Sequence, residues 1–129
     1  MVFVFGSNEA GRHGAGAARD ARIRYGAILG QGFGLMQGDT GGSSFAIPTK
    51  DWVLQPLPLA TIQFYVNRFI AFAKEFESLE FQVTQIGCGL AGFKSEDIAP
   101  MFINAPDNCH FDLAWEKFLG KGKKYWETF

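Results

Sequence analysis

With 129 residues, 47% of them hydrophobic and 19% charged, the chain has the size of one domain with one proper core, and it is too apolar to be disordered. Twelve basic and thirteen acidic residues leave a formal charge of −1, which argues against a dedicated nucleic-acid surface built on a basic excess. No apolar stretch reaches the length of a membrane span, "MVFVF" lacks the basic start of a signal peptide, and Cys88 and Cys109 have neither zinc-site nor disulfide spacing, so a reducing, cytoplasmic setting is expected.

The 14 phenylalanines predict an aromatic core. "VFVF" (2–5) is a short apolar run that stops at Gly6, as a buried strand of an α/β sheet does. "GSNEAGRHG" is loop by composition, and "AGAARDARIRYG" reads as a helix with Ala18 and Ile23 inward and Gly26 as its stop. The glycine-rich segment 28–44 is expected to be a long loop, functional or mobile, and a lid over residues 30–42 is left open. "SFAIPT" (44–49) is a second apolar strand, and "DWVLQPLP" an irregular connection.

From Leu59 to Phe76, apolar residues recur with helical spacing through Ile62, Val66, Phe69, Ile70 and Ala73, which predicts a helix with a buried stripe. "LEFQVTQI" (79–86) follows as a strand. "SEDIAPMFINA" begins with Ser95 as an expected N-cap, and Glu96 and Asp97 are ordinary first-turn acids. "CHF" (109–111) reads as a last strand, with Asp112 capping a terminal helix "LAWEKFL". The lysines of "GKGKKYWETF" read as solvated charge.

Strand and helix thus alternate four times over residues 1–129, with no repeat, linker or second domain. That pattern implies one α/β domain, a mostly parallel sheet with helices on both faces. In such sheets ligands bind beyond the carboxyl ends of the strands. Two glycine loops, one after strand 2–5 and one in "QIGCGLAGF" (85–93), fall on that edge. Glycines let a phosphate approach the backbone, whose N–H groups then hold it.

"GCGLAG" also matches the G-x-G-x-x-G of dinucleotide-binding folds, with Asp112 twenty residues beyond Gly92 as the ribose acid. That reading, a nucleotide-binding oxidoreductase, leaves no second half of the chain for the other nucleotide and ignores the first loop.

"FGSNEAGRHGAGAA", "FAIPTKD" and "QIGCGLAGFKSEDIAPMF" together resemble a compact macrodomain, over about a third of the chain. The last two segments look most like the branch of terminal ADP-ribose glycohydrolases and DNA-de-ADP-ribosylating antitoxins. The resemblance implies that Asn8 bonds the distal ribose and that Gly14, Ala15 and Gly16 approach the ribose and diphosphate. It implies that the backbone of Gly87, Cys88, Gly89, Leu90, Ala91 and Gly92 wraps the diphosphate, with Phe93 packed on a sugar or base. Lys50 matches the branch's catalytic lysine, which attacks the anomeric carbon, and a partly desolvated lysine is a competent nucleophile.

Two positions depart from the branch. Ala91 stands where its catalytic acid follows the G-C-G-L stretch, and no acid precedes the first strand where many macrodomains carry an adenine-binding Asp. Asp51, beside Lys50, is a candidate replacement acid. His13 is a candidate acid/base or phosphate contact, and Arg12, always charged and forked, a candidate phosphate partner.

Each candidate also has a plain structural reading. Asn8 suits an Asx-turn, and Arg12 and Lys50 suit solvated charges. Cys88 is either a stabilised thiolate or a small buried residue, and Phe93 is either core or ligand contact. The expected function is binding of ADP-ribose or a related nucleotide diphosphate, free or on a modified macromolecule, with or without hydrolysis of ADP-ribosyl or phosphate linkages. The alternative is a non-catalytic reader of the same ligand, and no cofactor or metal is implied.

Overall fold

The computed structural model describes residues 1–38 and 42–127. Residues 39–41, part of the glycine-rich segment and of the lid considered within it, lie outside the described residues, as do 128 and 129. Six strands form one sheet, β1 (Val2–Asn8), β2 (Gly34–Gln37), β3 (Ser43–Lys50), β4 (Phe81–Val83), β5 (Cys109–Asp112) and β6 (Lys124–Trp126), in the order β2-β3-β1-β4-β5-β6. Every neighbouring pair is parallel except β2 with β3. The helices are α1 (Gly16–Arg24), α2 (Leu59–Glu75), α3 (Ser95–Ile98), which continues into a 3-10 turn at Ala99–Phe102, and α4 (Glu116–Leu119), which follows another at Leu113–Trp115.

Strand alternation divides the core between the two faces. On β1, Val2 and Val4 point to one side and Phe3 and Phe5 to the other. The first side receives α2 through Ile62, Val66, Phe69, Ile70 and Ala73, together with Ile98, Phe102 and Trp115. Full burial of each large apolar side chain stabilises by roughly 1.5–3 kcal/mol, so this stripe holds α2 on the sheet. Phe69 is its centre, with its ring centroid 5.0 Å from that of Phe45 and 5.2 Å from that of Phe81. The second side is smaller: α1 packs Ala18 and Ala21 over Phe3, Phe5 and Ala46. Helices therefore cover both faces, in a three-layer α/β arrangement.

The observed elements adjust several sequence expectations. β1 extends through Asn8, because its far end pairs with β3, where Asn8 stands opposite Lys50. The segment 28–44 holds β2, an antiparallel edge strand whose one fully buried side chain, Met36, gives little apolar signal. The strand expected over 79–86 shortens to Phe81–Val83, since Thr84 turns back and bonds Val4 O with both its N–H and its hydroxyl. Ser95 is the first residue of α3, with Lys94 at the N-cap position. Asp112 does cap the turn after β5, accepting from Ala114 N–H at 2.9 Å. The tail contributes β6, whose Tyr125 packs against the main core.

Candidate functional site

Chain order and sheet order together open a crevice. From β1 the chain passes through α1 to β3 on one side, then through α2 to β4 on the other side of β1. The connections leaving β1 and β4 go to helices on opposite faces, and such a switch point is where an open α/β sheet accepts a ligand. The two glycine loops lie there side by side. A methyl group at Gly6 would stand 3.2 Å from Gly87 N. Between them runs a cleft of about 830 Å³, lined by Asn8, Gly14–Gly16, Lys50 and residues 84–91.

In the first loop the polar side chains are tied to the loop itself. The Asn8 amide donates to Arg12 O at 2.8 Å and accepts from Arg12 N–H at 2.9 Å, which is the Asx-type role. His13 is fully buried, with its ring edge-on to Phe5 and Nε2 3.0 Å from the carbonyls of Ile28 and Gln31. Its Nδ1 is buried without a hydrogen-bond partner, and burial pushes its pKa below the usual 6.5. His13 therefore does not line the cleft, which corrects its assignment as acid/base or phosphate contact. What this loop offers is the Arg12 guanidinium and the N–H groups of Gly14 and Ala15, which have no protein acceptor among the described residues.

The second loop is mostly backbone. Cys88 N–H bonds Gln85 O, Gly92 N–H bonds Gly89 O, and Phe93 N–H bonds Gly87 O. The N–H groups of Gly87, Gly89, Leu90 and Ala91 have no protein acceptor among the described residues. Successive unpaired N–H groups along a concave loop make an anion nest. Gly87 and Gly92 adopt φ of 78° and 80°, which side chains resist, and the fold alone accounts for them. Gly89 and Gly14 are different: neither has a positive φ, and a methyl group on either would touch nothing. Among the described residues, neither a contact nor the backbone angle requires glycine at those two positions.

The other sequence candidates divide. Lys50, at the end of β3, lines the cleft, and its ammonium makes no hydrogen bond or ion pair with the described residues. Asp51 turns away: its Oδ1 accepts from Val53 N–H at 2.9 Å and Gln55 N–H at 3.0 Å, so it holds its own loop and does not line the cleft. The Phe93 ring also leaves the cleft and packs on the main core near Gly87. Gly92 closes the loop by its hydrogen bond rather than lining the cleft. The Cys88 thiol lies 3.6 Å from the Ser95 hydroxyl, which also accepts from Trp115 Nε1–H. Burial pushes its pKa up, against a stabilised thiolate.

Sequence reasoning missed Gln85 and Trp126 as cleft residues, and met Asp112 only as a cap and as the ribose acid of the dinucleotide motif. Asp112 is buried at the end of β5, with its oxygens bonded to Ala114 N–H and the Gln85 amide. Trp126 stands beside it on β6. The strand carrying Trp126 is three residues long among lysines, and no pattern in the sequence marked it.

No family model matches the chain, and no curated protein matches it. Solved structures do. The macrodomain of Mycobacterium tuberculosis DarG superposes with a TM-score of 0.65 at 18% identity, covering 99% of this chain and 89% of that one. A protein of unknown function from Bacteroides thetaiotaomicron gives 0.59 at 15% identity over 96% of this chain and 85% of the other. A further Bacteroides thetaiotaomicron protein gives 0.58 at 14% over 96% and 86%. The chain has a macrodomain-like fold.

Proposed function

We propose that the cleft binds ADP-ribose or a related nucleotide diphosphate. The observation that carries this is that the N–H groups of Gly87, Gly89, Leu90 and Ala91, and those of Gly14 and Ala15, have no acceptor among the described residues, and that all six residues line one cleft. Two backbone cradles lining one cleft suit two linked phosphates, and Arg12, which also lines the cleft, adds a charged partner. Asn8, already fixed by the Arg12 backbone, retains one N–H and one lone pair for a ribose hydroxyl. The macrodomain-like fold supports this choice of ligand over other phosphate compounds, and it gives no support to an oxidoreductase with a second nucleotide half.

In the hydrolytic form of this reading, Lys50 is the nucleophile. The Lys50 amine attacks the anomeric carbon and the bond to the departing group breaks. The departing group takes the proton that the amine gives up on forming the new C–N bond, and water then hydrolyses that bond, which frees the lysine and releases the ribose. The reading places the chain near the glycohydrolase and antitoxin branch of the macrodomains. A specific residue favours a second reading: Ala91 occupies the branch's acid position, and Asp51 is bound into its own loop, so the cleft as a non-catalytic reader needs neither. Calorimetric titration with ADP-ribose, NAD and ADP tests the shared part. Saturable binding with ADP-ribose preferred is the expected result, and no binding to any of the three removes the proposal.

A further inference from the structure

Beyond Lys50 the chain makes a hairpin whose two sides meet at Lys50 and Pro56, and again where Leu57 N–H donates to Thr49 O at 2.9 Å. Asp51 builds its turn. The carboxylate Oδ1 accepts from Val53 N–H at 2.9 Å and from Gln55 N–H at 3.0 Å, and the Asp51 carbonyl accepts from Leu54 N–H at 3.1 Å. These bonds hold Leu54 at φ 65°, and among the described residues no other residue but glycine has a positive φ. A leucine resists that left-handed backbone because its Cβ crowds the carbonyl that follows, whereas glycine or asparagine accepts it.

The leucine side chain does not serve the core in return. It is 39% exposed, belongs to neither apolar core among the described residues, and lines the cleft together with Lys50. Trp52 and Val53 of the same turn are exposed as well. A residue held against its own backbone preference in the wall of a cleft points to a contact made there with a ligand.

Sheet order decides which part of a ligand reaches it. The two loops with unpaired N–H groups follow β1 and β4, and β3, which ends in Lys50, lies on the other side of β1 from β4. A ligand with its diphosphate at those loops and its reacting sugar at Lys50 carries the substituent of its anomeric carbon onward past β3, over the hairpin. That surface is apolar and without positive charge: the sequence has no basic residue between Lys50 and Arg68, and Asp51 Oδ1 is bonded inside the hairpin. It suits an uncharged ring, which needs apolar contact and no counter-ion.

We propose that Leu54, held in place by Asp51, forms a subsite for an uncharged aromatic group carried on the anomeric carbon of the ligand. The proposal rests on the nucleotide-diphosphate reading above. Leu54 contacts the substituent, and Asp51 is a positioning residue acting through the hairpin.

The test is calorimetric titration of the wild type and of Leu54→Gly with ADP-ribose and with its methyl and phenyl thioglycosides, whose sulfur link resists cleavage. The wild type is expected to bind the phenyl glycoside about fivefold or more tighter than the methyl one, the scale of covering one side of a ring with one apolar side chain. Leu54→Gly is expected to bring that ratio toward one, to hold ADP-ribose within a few-fold of the wild type, and to melt no lower, since glycine accepts the backbone angle. Leu54→Asn, which tolerates the same angle, is expected to lose the ratio likewise and decides the matter if the glycine variant does not fold. Equal binding of the two glycosides by the wild type, or an unchanged ratio in the variants, overturns the subsite and leaves the cradle in place. Failure of the wild type to bind ADP-ribose overturns the nucleotide reading and this proposal with it.

Discussion

The two loops that face each other across the cleft are built on different terms. Residues 8–14 form a frame: the Asn8 amide is tied to the Arg12 backbone and His13 to the carbonyls of Ile28 and Gln31. The same frame grips the end of β3, because Glu9 N–H bonds Lys50 O at 2.9 Å. Residues 84–92 are tied mostly by their own backbone turns, and among the described residues they leave the N–H groups of Gly87, Gly89, Leu90 and Ala91 unpaired. The ties on one side fix where Lys50 stands, and the unpaired backbone on the other side is what the proposed anion site rests on. The proposed reading, in which the cleft holds a charged ligand and acts on it, uses both.

The largest effect separates those two contributions. In the hydrolytic reading Lys50→Ala removes the proposed nucleophile and leaves the backbone of the two loops, so turnover of an ADP-ribosylated substrate is expected to fall about 10³-fold or more while ADP-ribose affinity stays within a few-fold. Turnover and binding are measured on the same preparation. Unchanged turnover removes the lysine mechanism, and joint loss of both shows that Lys50 serves binding instead.

His13 tests the frame itself. His13→Phe keeps an aromatic ring against Phe5 but takes away the donor shared by two carbonyls, with an expected cost of about 1–3 kcal/mol. The histidine also gives the wild type a pH dependence whose sign is fixed. Protonation would place an N–H at the buried, unpartnered Nδ1, so the folded pKa lies below the unfolded 6.5. The unfolded chain then binds more protons between the two values, and stability is present above pH 6.5 and lost as pH falls toward the folded pKa. Denaturant titrations at several pH values are expected to show this loss in the wild type and its attenuation in His13→Phe. A variant with the full wild-type slope would assign the acid sensitivity to another group.

How much of this was legible in the sequence depended on whether one segment carried the information. β1, β3 and α2 were legible because their apolar runs and stripe reflect burial that each element meets along its whole length. β2 and β6 were not, since an edge strand buries one face or less and its pairing is fixed by a neighbour distant in the chain. At the site, the glycines marked the two loops that line the cleft, whereas the side chains did not reveal their partners. His13 depends on carbonyls 15 and 18 residues away, and the Gln85–Asp112 bond spans 27 positions. Phe93 and Asp51 have the right residue types in the right places and point elsewhere.

The smallest effect bears most directly on why the cradle contains glycine. Gly14 and Gly89 have backbone angles that an L-residue accepts, and a methyl group on either meets open space. Alanine at these positions also reduces the freedom of the unfolded chain, which stabilises by about 0.4–1 kcal/mol where the native conformation tolerates it. Gly14→Ala and Gly89→Ala are therefore expected to unfold at the same temperature as the wild type or slightly higher. A phosphate held by neighbouring N–H groups must come within van der Waals reach of those Cα atoms, and the methyl group would occupy that space. ADP-ribose affinity is expected to fall about tenfold, the 1.4 kcal/mol scale of one such hydrogen bond to a charged group. Loss of affinity with intact melting marks glycine kept for the ligand. Intact affinity would show that the open space beside Gly14 and Gly89 is not where the anion sits, and the proposed cradle would shrink to Ala15, Gly87, Leu90 and Ala91.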